Sequence, residues 1–228
     1  MSTLLREMLA ALASSILLAL PAAAGTLQVT VLGADGKPAA DAVVLVQPVA
    51  AWPSQPLPEP ALIVQKDIRF QPYVTVVPVG ASVRFVNRDS FDHHVRSQAG
   101  GPLGSIAPAQ QFEFRLKGAK GGNEATADLK LDQAGTIVLG CHIHGSMRGH
   151  IFVGSTPWAA VTDANGRISV GGVPEGQAEL RLWHPDQLVD QAPQRVQIAA
   201  SAQAEARLNF TPKRRPPPVS GRKSEYDN

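Results

Sequence analysis

The sequence predicts an all-β protein, and three observations carry that expectation. Short runs of alternating or β-branched residues recur along the chain. Gly, Asn, Asp and Pro punctuate them, and beyond the first two dozen residues no stretch sustains a 3.6-residue apolar period. TLQVTVL from Thr26 alternates apolar and polar residues, and the turn pair Asp35-Gly36 follows it. DAVVLVQ from Asp41 is β-branched. YVTVVPV from Tyr73 and SVRFVN from Ser82 are separated by Val79-Gly80. FEFRLK from Phe112, TIVLGC from Thr136 and HIFV from His150 come next. RISV from Arg167 follows Asn165-Gly166, AELRLW from Ala178 follows Pro174 to Gly176, and EARLNF from Glu205 closes the series. Such a string suits β-sandwich architecture, and its length suits two modest domains better than one.

The two ends are of different character. Arg6, the apolar run Met8 to Leu20 and Ala22-Ala23-Ala24 have the n-region, h-region and cleavage site of an export signal, so residues 1–24 are expected to be removed and the mature protein to be periplasmic. The apolar run is too short to span a bilayer, and no stable membrane insertion is expected. Residues 212–228 are Pro-rich, charged and nearly free of aliphatics, which predicts a disordered basic tail. The tail accounts for the formal net charge of +2, with five basic residues against two acidic ones. The part expected to fold is close to neutral, which excludes a nucleic-acid footprint.

After the leader the chain keeps one cysteine and one methionine, Cys141 and Met147, with His144 midway between them. In an oxidising compartment a lone cysteine cannot close an internal disulfide, and a metal bond is one of the few stable uses for it. A thiolate, an imidazole and a thioether in one turn are the parts of a mononuclear blue-copper site lacking one further histidine. Ligands to one ion lie about 2 Å from it, whereas three extended residues cover roughly 10 Å. The chain must therefore leave its strand at Cys141 and curl. Gly140, Gly145 and Gly149 are expected to supply the backbone freedom for that loop. The missing imidazole must come from elsewhere, and the pair His93 and His94 after SVRFVN offers it.

The flanks show a second pattern. Thr26 to Val49, with its D-G-K-P turn, resembles the opening half of a carboxypeptidase-regulatory-like (transthyretin-like) sandwich. TDANGRISVGGVPEGQAELRLWHP resembles the closing half of the same module. The expectation is that residues 25–49 and 156–211 pair into one smaller sandwich. Residues 61–155 would be inserted at a loop tip, and the Pro-rich stretch 50–60 would be a semi-rigid crossing.

Residues 61–155 resemble a cupredoxin. C-x-x-H-x-x-M followed by R-G and a strand is most similar to the amicyanin-like, plastocyanin-like and methylamine-utilisation-type members, and FQPYVTVVPVGASVRFVNRD resembles the strand pair ahead of the first ligand. The resemblance implies a cupredoxin Greek-key β-sandwich. It implies one type 1 copper ion held by His93, Cys141, His144 and Met147, with His93 matching the histidine of the family's H-N-V triplet. It implies a one-electron carrier between redox partners such as a c-type cytochrome or a periplasmic dehydrogenase, with His144 as the electron port. His94 stands where that triplet has Asn; it is the alternative ligand if the register slips by one residue.

The other side chains are read more plainly. His142 should point away from Cys141 and be a surface residue rather than a second metal site. His150 is expected at a solvated strand end. His184, Trp158 and Trp183 are expected to be packing residues. A multicopper oxidase or nitrite reductase would need a histidine before the cysteine, where Gly140 stands, and more imidazoles than the six present. No nucleophile with a paired base is visible, so no enzyme is expected. The competing reading is copper binding and delivery without electron transfer. A monomer is expected.

Overall fold

The computed structural model describes residues 23–213. Almost all of the leader read over residues 1–24 and of the tail read over 212–228 therefore lies outside the described residues. Within them the chain is a set of sixteen strands in four sheets, with a short 3-10 turn at Pro102–Gly104 and no α-helix. No helix of the described residues is long and apolar enough to cross a membrane.

The strands of the first sandwich come from both ends of that range. They are β1 (Ala24–Leu32), β2 (Val43–Pro48), and β12 (Ala159–Val161), β13 (Arg167–Pro174), β14 (Gly176–Trp183), β15 (Gln194–Ile198) and β16 (Ser201–Arg207). One sheet has the order β13-β1-β16, the other β12-β2-β14-β15. The alternation of β1 places Leu27, Val29 and Val31 inward, where they meet Val44, Val46, Leu180, Ile198 and Trp158. The Trp158 ring N–H donates to the Gly172 carbonyl at 2.8 Å, and Trp52 of the Pro-rich stretch packs edge-on against it with ring centroids 5.3 Å apart.

The second sandwich contains β3 (Ala61–Lys66), β4 (Arg69–Gln71), β5 (Val74–Pro78), β6 (Ser82–Asn87), β7 (His93–Gln98), β8 (Glu113–Leu116), β9 (Ala125–Lys130), β10 (Gly135–Cys141) and β11 (Arg148–Gly154). Its sheets have the orders β5-β11-β10-β7-β8 and β4-β3-β6-β9. Between them lie Ile63, Phe85, Val95, Ile137, Leu139 and Ile151. Each such side chain stabilises the fold by about 1.5–3 kcal/mol through burial. β10 has β7 on one side and β11 on the other, and its last residue, Cys141, stands opposite Val95.

Several strands carry weak sequence signals. β9 turns only Ala125, Ala127 and Leu129 toward the core, and two of these are too small to mark a buried face. β15 is mostly polar and exposed, and β7 directs His94 and Arg96 outward beside an inward His93. His150 departs from its expected place. It is buried on β11, with Nε2 2.7 Å from the Tyr73 hydroxyl, and its ring lies against Trp183 of β14 at 5.8 Å. Trp183 also touches Phe152, so this aromatic group lies where β11 meets the other sandwich. His184 is buried packing: it bonds the Ala40 carbonyl at 3.1 Å and accepts the Asp186 N–H at 3.0 Å.

Candidate metal centre

Two neighbouring strands bring the chemistry together. The phase of β7 turns His93 and Val95 inward and His94 outward. At the end of β10, Cys141 also faces inward, and the chain then folds back so that the Met147 N–H donates to the His144 carbonyl at 2.9 Å. This turn returns His144 to the side of the sheet occupied by Cys141 and His93. Met147 is fully buried in the same apolar cluster as Cys141.

The glycines act differently from their expected role. None of Gly140, Gly145 and Gly149 adopts a positive φ. A Cβ on Gly140 would lie 2.4 Å from the Gln98 side-chain amide, and one on Gly149 would lie 2.9 Å from the Phe70 side chain. At these two positions glycine makes room for a neighbour, and at Gly145 the space is open.

Cys141 Sγ lies 3.7 Å from His93 Nδ1 and 3.5 Å from His144 Nδ1, and the two nitrogens are 3.2 Å apart. A triangle with these sides has a circumradius of about 2.0 Å, the length of a metal–imidazole bond and near the ~2.3 Å of a metal–thiolate bond. Three donor atoms thus surround a point at bonding distance from all of them. His93, Cys141 and His144 are the one such group of His, Cys, Asp or Glu side chains among the described residues. A soft thiolate with two imidazoles suits copper or zinc rather than magnesium or calcium. His93 is wholly buried, while His144 keeps 9% exposure. Phe91 packs edge-on against both rings at 5.4 and 5.2 Å.

A carboxylate missed in the sequence stands behind His93. Asp89 is 3% exposed, and its Oδ2 lies 2.8 Å from His93 Nε2. The same carboxylate accepts the N–H groups of Asp67 at 2.8 Å and Ile68 at 3.2 Å. Those two residues form the β3–β4 turn with φ of 55° and 56°, a left-handed conformation unfavourable for a β-branched residue. Asp89 therefore holds a strained turn and a histidine ring at once. Asn87 shapes the loop between them, accepting the Asp89 N–H at 2.9 Å and donating to the Phe91 carbonyl at 2.8 Å. The available signal was the acid four residues ahead of His93 in NRDSFDH.

These contacts set the ionisation of the group. Burial acts to raise the Cys141 thiol, but hydrogen bonds from His93, from the backbones of His94 and His144 and from the His144 ring outweigh it and bring it down to about 6. For His93, burial acts to lower the imidazole, while the Asp89 and Cys141 contacts raise it above its ordinary value. Burial likewise acts to raise Asp89, and its bonds to His93, Asp67 and Ile68 hold it below the ordinary carboxylate range. A poised thiolate is the form in which cysteine binds metal.

No family model matches the chain, and no curated protein matches it. Among solved structures, an oxidised mutant of amicyanin is similar over 41% of this chain and 81% of its own, with 23% identity and a TM-score of 0.32. A second amicyanin mutant, also oxidised, is 27% identical over 41% of this chain and 80% of its own, at a TM-score of 0.30. The copper-containing nitrite reductase of Thermus scotoductus SA-01 is 27% identical over 47% of this chain and 25% of its own, at a TM-score of 0.35.

Proposed function

We propose that the protein is an exported type 1 copper protein that carries single electrons between redox partners in the periplasm. His93, Cys141 and His144 are the proposed equatorial ligands, and Met147 the weak axial one. The observation that carries this reading is the triangle of Sγ and two Nδ1 atoms about a point ~2.0 Å from each. When bound there, copper supplies reversible exchange between cuprous and cupric states at a thiolate-bound ion. The chain's own part is to hold the donors still. His93 is fixed by Asp89 at its far nitrogen, Cys141 by the end of a central strand, and His144 by the short turn closed at Met147. Donors so held move little when an electron arrives. His144, which keeps 9% exposure where His93 keeps none, is the proposed port, with Ile143 beside it at 47% exposure as apolar contact surface for a partner protein.

We also read residues 25–49 and 156–211 as one smaller sandwich interrupted by residues 61–155. Support comes from β1, which lies between β13 and β16, and from β2, which lies between β12 and β14. The smaller sandwich is then free to dock the carrier to a dehydrogenase or cytochrome.

The test is to add Cu(II) to the purified mature protein and record visible and electron paramagnetic resonance spectra beside Cys141→Ser. A strong sulfur-to-copper charge-transfer band, absent from the variant, is expected together with a reversible one-electron couple. A protein that binds no stoichiometric copper overturns the reading. Copper bound without reversible electrochemistry, and passed to an acceptor, assigns delivery instead.

A further inference from the structure

On the opposite face of the same two strands stands a second pair of imidazoles. The His142 N–H donates to the His94 carbonyl at 2.9 Å, one position beyond the Cys141–Val95 pair, so the two residues are direct cross-strand neighbours. With Cys141 and His93 turned into the core, both of these side chains lie on the outer face. Their ring centroids are 5.6 Å apart with planes inclined at 57°. The buried pair His93 and His144, whose Nδ1 atoms converge, has centroids 5.0 Å apart at 64°. The outer rings therefore lie at a separation and inclination similar to those of the inner ones, 0.6 Å wider between centroids.

A carboxylate completes the correspondence. Glu113 Oε1 lies 2.7 Å from His94 Nε2, as Asp89 lies 2.8 Å from His93 Nε2. In the neutral tautomer an Nε2–H donated to Glu113 leaves the lone pair on Nδ1, and a carboxylate behind the ring is the usual support of a metal-bound histidine. Arg115, the cross-strand neighbour of His94, has its own partner: its Nε bonds Asp92 at 2.9 Å, so its charge is partly offset. His142 is exposed and His94 half-buried, so an ion reaches both from solvent and water completes its shell.

We propose that His94 and His142 form a second, surface site for one divalent transition-metal ion of the zinc or cupric class, with Glu113 orienting the His94 ring. Imidazole nitrogen is the donor these ions prefer. The site is open and lacks a thiolate, so its ion exchanges with solvent while any ion at the buried centre stays enclosed.

Zinc chloride is the probe, titrated by calorimetry into the full mature chain and into His142→Ala, His94→Ala and Glu113→Gln. The wild type is expected to take up one more equivalent than either alanine variant, and Glu113→Gln to keep that equivalent at weaker affinity. Proteins compared in this way share the buried donors, so the difference is independent of what that centre holds. Histidine ring resonances of His94 and His142 should shift together and saturate at that equivalent. Equal stoichiometry in wild type and His142→Ala overturns the proposal, as does zinc binding at these rings that never saturates.

Discussion

Replacing Asp89 by asparagine isolates what the buried carboxylate does. The amide has nearly the same shape but one acceptor oxygen in place of two. Asp89 Oδ2 serves both His93 Nε2 and the Ile68 N–H, while Oδ1 serves the Asp67 N–H. An amide turned with its oxygen in the Oδ2 position keeps two of the three bonds and sets its NH2 against the Asp67 N–H. The opposite orientation keeps only one, so the first is preferred. One part-buried donor then loses its acceptor, at a cost of about 0.5–1.5 kcal/mol in folding stability. His93 keeps its partner but loses the charge assistance that makes such a bond roughly twice as strong. Copper affinity should accordingly fall by about tenfold, the lower end of the range for lost partners of ligating histidines. Asp89→Ala removes all three bonds and should lie at the upper end, about a hundredfold. Urea unfolding of the metal-free proteins reads the first quantity, and competition with a cuprous chelator reads the second. If Asp89→Asn changes neither, Asp89 does not position His93 and the account of the centre is wrong.

Three further outcomes are expected. In the metal-free protein the ultraviolet thiolate absorbance of Cys141 should be half-developed at about pH 6, far below the ordinary ~8.5 of a free thiol. The lowered thiol contributes stability that is full above its unfolded pKa and is lost as pH falls through about 6. The raised His93 contributes in the reverse sense, fully below its unfolded value of about 6.5 and no longer once pH rises through its folded pKa. Copper uptake should weaken as pH drops below 6, and a thiolate signal that grows in only above pH 8 would contradict the contacts around Sγ. His93→Ala should abolish the sulfur-to-copper band and His94→Ala should leave it in place; the reverse result would move the ligand to the outer face of β7. Deleting Gly25 to Val49 takes away β1, the middle strand of its sheet, and the buried Leu27, Val29, Val31, Val44 and Val46. At about 1.5–3 kcal/mol each these rival the whole stability of an ordinary domain, about 5–15 kcal/mol. The β12–β16 part should then show no cooperative melting, and an unchanged Tm there would defeat the reading of one interrupted sandwich.

The strands most legible in the sequence were those with large residues on a buried face, such as β1, β6 and β10. β9 and β15 were not, because their inward positions are filled by alanine or are barely covered. The coordination chemistry was similarly uneven. Cys141, His144 and Met147 lie within one turn, so their spacing alone restricts how the chain can run between them. Asp89 was hidden, because its meaning depends on the β3–β4 turn, more than twenty residues earlier, being folded onto it. Taken singly in the sequence, His142 is a surface residue and His94 a substitute ligand. Only the pairing of β7 with β10 makes them neighbours.

By itself the sequence determined the fold class and the kinds of donor available: period-two patterning sets strands, and a single cysteine with no second thiol to pair with restricts the chemistry. Tertiary structure decided which imidazole faces the sulfur and which carboxylate fixes it. It also set the register and order in which β1 and β2 join strands from the far end of the described chain. The physical reason is that side-chain type and local period are written residue by residue, whereas strand register and sheet order arise from pairing between segments scores of residues apart, where a shift of one residue exchanges the two faces.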